Sequence, residues 1–368
     1  MISPARCSAR SEPPLLEAGG RELSEAVIAV HADFELDRLS HGLFFYAIIY
    51  NRTRESLMAH APDVLICEVG PRDGLQNLDV FVPTEAKCAL IDTIAAAGVR
   101  EIDAGSFVPP KVVPQFADVD AVMAHALAHR TATIGALVPN VKGAERAIAA
   151  GVDAVYFVIS ASETHNRANV RRSIEEQLDG FRAVRAAIDA CPAGRRPHLM
   201  GAIATSFGCS LEGEVSEAAV CRVARAFAEA GADEIGLADT VGYATPKLVR
   251  QIVEAVRREV GLQMTLRLHL HDTLGAGLAN AVAGLEAGIR RFDAAVSGLG
   301  GCPFAPGARG NIVTEDLVFM LERMGLSTGI DLDRLMQTRE ILARHIQAKH
   351  LTGHLHEAGI PKVLRRAA

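Results

Sequence analysis

Residues 265–271 read Thr265-Leu266-Arg267-Leu268-His269-Leu270-His271, and the alanine-rich stretch 276–287 that follows closes on Gly288. Leucines alternate with polar residues, which is the period of a strand with one face in an apolar core. The segment after it has helical character, and a glycine just past its end is the expected left-handed stop. This is one strand–helix unit. From residue 64 onward the same unit recurs.

The apolar runs are 64–69, 101–104, 131–138, 154–160, 198–204, 234–238, 265–271 and 292–296. Helical stretches fall at 85–97, 143–150, 174–189, 216–230, 246–260 and 276–287, and Gly98, Gly151, Gly231, Gly261 and Gly288 mark stops. Eight β/α units at roughly even spacing predict an α/β fold, a closed (β/α)8 TIM barrel with an extra C-terminal helical segment. No Gly-X-Gly-X-X-Gly follows the first strand, which argues against a dinucleotide-binding sheet. The expected organisation is a poorly ordered or non-native extension over 1–57, a barrel over 58–330 and a helical extension over 331–368. Met58, directly ahead of the first core strand, is the expected natural start.

Bulk numbers narrow the function. The chain has 368 residues, 49% of them hydrophobic, and a net charge of −6, so it can bury a large core and offers no domain-wide basic surface to nucleic acid. Tryptophan is absent. No apolar run approaches the roughly eighteen residues of a membrane span. Seven scattered cysteines without a Cys-X-X-Cys pair fit a reducing, cytoplasmic location better than a disulfide framework.

In an eight-stranded barrel the chemistry sits at the C-terminal ends of the strands and in the loops after them. Arg72 and Asp73 follow strand one, His269 and His271 close strand seven, and Cys302 and Asn311 lie in the glycine-rich loop after strand eight. Closure makes strands seven, eight and one neighbours. The two histidines, one residue apart on a strand, share a face. They could be a hydrogen-bonded core pair, or with Asp73 and Asn311 they could form an oxygen/nitrogen site for Mg²⁺ or Mn²⁺. Asp73 alone could stabilise the turn at Gly74, and Asn311 could serve the helix start at Thr314-Glu315-Asp316. Arg72 keeps its charge at any working pH and could stabilise an enolate oxygen, or it could simply pair with Asp103 or Glu315. Cys302, flanked by Gly300, Gly301 and Pro303, reads as a proton carrier or nucleophile rather than a packing residue.

These residues stand in motifs that resemble the 3-hydroxy-3-methylglutaryl-CoA lyase family. They are residues 67–77 (Cys-Glu-Val-Gly-Pro-Arg-Asp-Gly-Leu-Gln-Asn), 269–273 (His-Leu-His-Asp-Thr) and 298–303 (Gly-Leu-Gly-Gly-Cys-Pro), with 106–111, 139–143 and 238–242 in register between them. The likeness runs from about residue 64 to 330. It implies a divalent-metal carbon–carbon lyase related to isopropylmalate and homocitrate synthases, and a homodimer. Its substrate would be an acyl-CoA, hydroxymethylglutaryl-CoA as in leucine breakdown, or a related 3-hydroxy acyl-CoA such as citramalyl-CoA or a branched terpenoid analogue. Carried over residue by residue, Asp73, His269, His271 and Asn311 look like metal ligands. Arg72 resembles the enolate-stabilising arginine, Cys302 the proton-donating cysteine, His269 a candidate base and Glu315 an acid that supports the site. Gln76 and Asp239 match positions near the substrate, and Asn140 and Lys142 are candidates for the CoA phosphates. Asp103 stands where the family has glutamate, so a loosened contact with Arg72 or a reshaped pocket is expected there.

Overall fold

The computed structural model describes residues 61–129, 131–301 and 310–362. The expectation for residues 1–57 and the thiol of Cys302 lie outside them. Eight parallel strands close into a barrel in chain order: β1 (Leu65–Glu68), β2 (Glu101–Ser106), β3 (Thr133–Leu137), β4 (Ala154–Ser160), β5 (His198–Ala204), β6 (Glu234–Asp239), β7 (Thr265–Leu270) and β8 (Arg291–Ala294). β8 pairs with β1 through Leu65↔Arg291 to Glu68↔Ala294, which shuts the cylinder.

Helices follow each strand: α1 (Thr84–Ala96), α2 (Val119–Ala128), α3 (Val141–Ala150), α4 (Glu163–Val170), α5 (Ile174–Asp189), α6 (Glu217–Glu229), α7 (Pro246–Val260), α8 (Gly277–Glu286) and α9 (Thr314–Arg323). All five glycine stops carry positive φ. α2 and α4 add to the helices expected from pattern. α2 follows a proline-bearing stretch, 109–114, whose turn signals mask it, and α4 is capped by Ser162, whose hydroxyl accepts from the His165 amide. Short helices α10 (Leu332–Leu335), α11 (Thr338–Ala343) and α12 (His354–Ala358) complete the C-terminal segment.

Strand residues facing outward pack against the helices, with Phe157 edge-on to Phe181 and Phe181 tilted against Phe227 at ring separations of 5.7 and 4.6 Å. The barrel's inner face is different. Arg267, 1% exposed, meets Glu101, Glu234 and Asp293 at 2.5, 2.8 and 3.1 Å. A buried guanidinium is tolerable only with such full pairing. Tyr156 donates to Glu101 at 3.0 Å, and its ring lies so close over Gly135 that a Cβ there would sit 2.2 Å from the hydroxyl.

Candidate active site

β1 ends in a single π-helical turn, Gly70–Gly74, a rare geometry common at functional sites. It points Arg72 and Asp73 into the barrel mouth, both buried. Arg72 Nη1 donates to Asp73 Oδ1 and Nε to Asp103 Oδ2, each at 2.6 Å. The shorter acid at position 103 therefore reaches the arginine fully, and the expected loosening does not occur. Glu315 is not its partner.

His269 and His271 meet Asp73 here. Their Nε2 atoms lie 3.1 Å apart, and Asp73 Oδ2 is 3.9 and 3.8 Å from them. Ligand atoms of all three fall within 4.8 Å of one another, a spacing that can hold a metal ion. Burial would raise the Asp73 carboxyl, but the Arg72 charge and the two imidazoles outweigh it and hold the acid ionised, far below its usual range. Burial acts to lower His269, yet the hydrogen bond it donates to Asp293 and the Asp73 charge bring it above its usual value.

Asn311 sits beside this trio. Its backbone pairs with that of His271, and its Nδ2 donates to Asp73 Oδ2 at 2.8 Å and to the Leu299 carbonyl at 3.0 Å. Its Oδ1 is buried without a partner, as a fourth ligand's lone pair would be before an ion arrives. The carboxamide does not cap α9, whose first turn lacks a side-chain cap. Gly300, at φ 122°, lets the loop pass over this pair, since a Cβ would meet Asn311 Nδ2 at 2.6 Å. The donor set fits a hard divalent cation: one carboxylate, two imidazoles and an amide oxygen.

The other expected residues divide. Gln76 lines the cavity with Arg72, Asp73, His269 and His271. Asp239 does not; it is buried and accepts the amides of Tyr243 and Ala244, fixing the loop after β6. Asn140 caps α3 by accepting from the Gly143 amide at 3.1 Å, and neither it nor Lys142 lines the cavity. Glu315 lies beneath the mouth, where both carboxylate oxygens accept the Ser297 amide at 3.1 and 3.0 Å. Burial pushes its pKa up to about 7. Ser297 has φ 54°, a strained value for a non-glycine residue, so Glu315 pins the backbone that begins the cysteine loop.

Asp293 was not singled out by sequence. It faces inward from β8, with Oδ2 3.1 Å from His269 Nδ1 and Oδ1 3.1 Å from Arg267 Nη1. The available signal was an acid inside the apolar run 292–296.

An HMGL-like family model matches residues 63–342. The chain belongs to the HMGL-like family. It is 43% identical over 286 residues to the mitochondrial hydroxymethylglutaryl-CoA lyase of Rattus norvegicus, covering 78% of this chain and 86% of the relative. A cytoplasmic 3-hydroxy-3-methylglutaryl-CoA lyase of the same animal is 40% identical over 283 residues, covering 77% and 81%. Among solved structures, an HMG-CoA lyase from Acinetobacter baumannii in complex with coenzyme A and 3-methylmalate superposes with a TM-score of 0.75 at 41% identity, covering 83% of this chain and 98% of that one. Among the described residues no helix is long and apolar enough to cross a membrane.

Proposed function

We propose that this chain is a hydroxymethylglutaryl-CoA lyase that splits the C2–C3 bond of 3-hydroxy-3-methylglutaryl-CoA to give acetoacetate and acetyl-CoA. One observation carries the reading: Asp73, His269 and His271 converge on one point, and Arg72, charged and doubly anchored, lies against it. Asp73, His269, His271 and Asn311 would hold Mg²⁺ or Mn²⁺, which when bound supplies Lewis-acid polarisation of substrate oxygens.

The chain's own residues handle the protons. His269 takes the C3 hydroxyl proton at Nε2, while Asp293 on Nδ1 stabilises the resulting imidazolium. One nitrogen cannot serve as ion ligand and proton acceptor together, so where His269 acts as the base, Asp73, His271 and Asn311 would be the residues left to hold the ion. The electrons of the C2–C3 bond move onto the thioester as an enolate. Arg72 uses Nε and Nη1 on its carboxylates, which leaves Nη2 for the enolate oxygen. Cys302 then delivers a proton to C2, and Glu315 sets the start of its loop. Gln76 serves the substrate from the cavity wall; Asp239 acts through the loop it holds, and Asn140 and Lys142 are proposed CoA contacts on the rim.

We further propose that the chain acts as a homodimer in leucine breakdown, and in the cytoplasm; for the location, cytoplasmic lyases stand among the relatives and the scattered cysteines suit a reducing compartment. The test is direct. Purified protein with Mg²⁺ or Mn²⁺ is given hydroxymethylglutaryl-CoA, and acetoacetate and acetyl-CoA are measured. Cys302→Ser is expected to lose about 10²–10⁴-fold in turnover while keeping its metal. A metal-loaded protein that makes neither product overturns the reading.

A further inference from the structure

Residues 351–355, Leu351-Thr352-Gly353-His354-Leu355, lie beyond the stretch matched by the family model, which ends at residue 342. Burial alternates along them: Leu351, Gly353 and Leu355 are buried, Thr352 and His354 exposed. The segment is an extended strap with one face seated on the protein. Arg339 of α11 donates to the carbonyls of Thr352 and Leu351 at 2.7 and 3.0 Å. Asp316 of α9 accepts the amides of His354 and Leu355 at 2.9 and 2.7 Å. The strap is thereby fixed on both sides of Thr352.

Thr352 itself reaches the root of the glycine-rich loop after β8. Its amide donates to the Ser297 carbonyl at 2.8 Å and its hydroxyl to the same oxygen at 3.3 Å. Gly298 lies so near that a Cβ there would sit 2.2 Å from the hydroxyl. Ser297 is the residue at φ 54° whose amide Glu315 takes, so this strained residue is gripped at both its N–H and its C=O. Two residues on, the Leu299 carbonyl accepts from Asn311 twice, from the backbone amide at 3.3 Å and from Nδ2 at 3.0 Å. The second Nδ2 proton goes to Asp73 Oδ2, which leaves Oδ1 as the open end of the carboxamide. Leu299 sets the direction in which Asn311 presents Oδ1, and the turn at Ser297 sets the place of Leu299.

Resting on the reading of Asp73, His269, His271 and Asn311 as metal ligands, we propose that Thr352 is a positioning residue for that site. By holding Ser297 from the C-terminal strap it keeps Asn311 Oδ1 aimed at the ion, without touching ion or substrate. A left-handed serine persists only where its surroundings over-determine it. Freed at its carbonyl, Ser297 relaxes toward negative φ, the Leu299 carbonyl leaves Nδ2, and the carboxamide is free to turn.

The experiment is equilibrium dialysis of Mn²⁺ against the full chain as wild type, Thr352→Pro, Thr352→Ser, Arg339→Met and Asn311→Ala, and with Thr352→Pro or Arg339→Met combined with Asn311→Ala. Proline removes the amide donor, and Leu351, at φ −107° and ψ 107°, already has the backbone that precedes a proline. Groups that orient a metal ligand are worth about 10–100-fold in affinity, so Thr352→Pro and Arg339→Met are each expected to weaken Mn²⁺ binding about tenfold. Thr352→Ser keeps both donors and should stay within about twofold of wild type. In the Asn311→Ala background the two strap substitutions should cost less than about twofold, because the group they aim is gone. A merely structural role predicts the full loss in both backgrounds. That outcome, or undiminished affinity in the strap variants, overturns the proposal and leaves the ligand reading intact. Asn311→Ala binding Mn²⁺ as wild type does defeats the ligand reading, and the proposal with it. If Thr352→Pro does not fold, Arg339→Met alone decides.

Discussion

Asp293 and His269 are joined by a 3.1 Å contact between Oδ2 and Nδ1, and the same carboxylate is tied at 3.1 Å to the buried guanidinium of Arg267. This places the imidazole's proton on Nδ1 and turns the Nε2 lone pair toward Asp73 and His271. A carboxylate behind a ligating histidine is worth about 10–100-fold in metal affinity. Asp293→Ala is therefore expected to weaken Mn²⁺ binding by that factor in equilibrium dialysis, with Asp73 and His271 still present. Unchanged affinity would remove Asp293 from the site.

Arg72 donates along two edges to two carboxylates, a geometry an ammonium group cannot copy. Arg72→Lys should lower kcat by about 10²–10³-fold, the loss typical when a preorganised donor to a developing oxyanion is removed. Steady-state kinetics with metal content checked in parallel reads this, and a change in KM alone would speak against the enolate role.

The interior ion cluster makes a stability prediction. Arg267→Met strands Glu101, Glu234 and Asp293 around an apolar side chain. Removing one partner of a buried cluster costs about 3–5 kcal/mol, and urea unfolding should show a loss of that order. Arg291, which also reaches Glu101 and Glu234 at 2.5 and 2.8 Å, limits the damage to those two acids but does not contact Asp293.

Glu68 supplies a pH dependence. It is fully buried, accepts the amides of Gly70 and Val296, and faces the Thr314 hydroxyl. Burial raises its pKa from 4.5 to about 8, against those hydrogen bonds. Between these values the folded protein holds a proton that the unfolded chain has released. The stability from this group is complete below about pH 4.5 and falls as pH rises toward 8. Glu68→Gln mimics the protonated acid without titrating. The difference in unfolding free energy between variant and wild type should grow in the variant's favour from pH 5 to 8, by up to about 4 kcal/mol. A difference independent of pH would contradict the assignment.

Much of the site was legible before any fold was known, because its parts are chemically unusual where they stand. Two imidazoles one residue apart on a strand, an Arg-Asp pair after the first core strand and an amide ahead of a helix start are each informative at short range. The residues behind them were not. Asp239, Asn140 and Glu315 turn out to hold backbone in place: an Asx cap at Gly143, a loop at Tyr243 and Ala244, and the strained Ser297. Sequence shows an acid or an amide at these positions but not whether its oxygen faces a cavity or a neighbouring N–H.

What the chain determined alone is the alternation of apolar strands and alanine-rich helices, hence the closed barrel, and the set of donors at its strand ends. Those depend on local periodicity, which each segment carries with it. Only the tertiary structure decided that Asp103 reaches Arg72 despite its shorter side chain, that Asp293 stands behind His269, and that Ala202 and Gly236 line the same cavity as the two histidines. Each of these depends on which inward-facing positions of different strands come level when the cylinder closes, and that register is fixed by pairing between strands far apart in sequence.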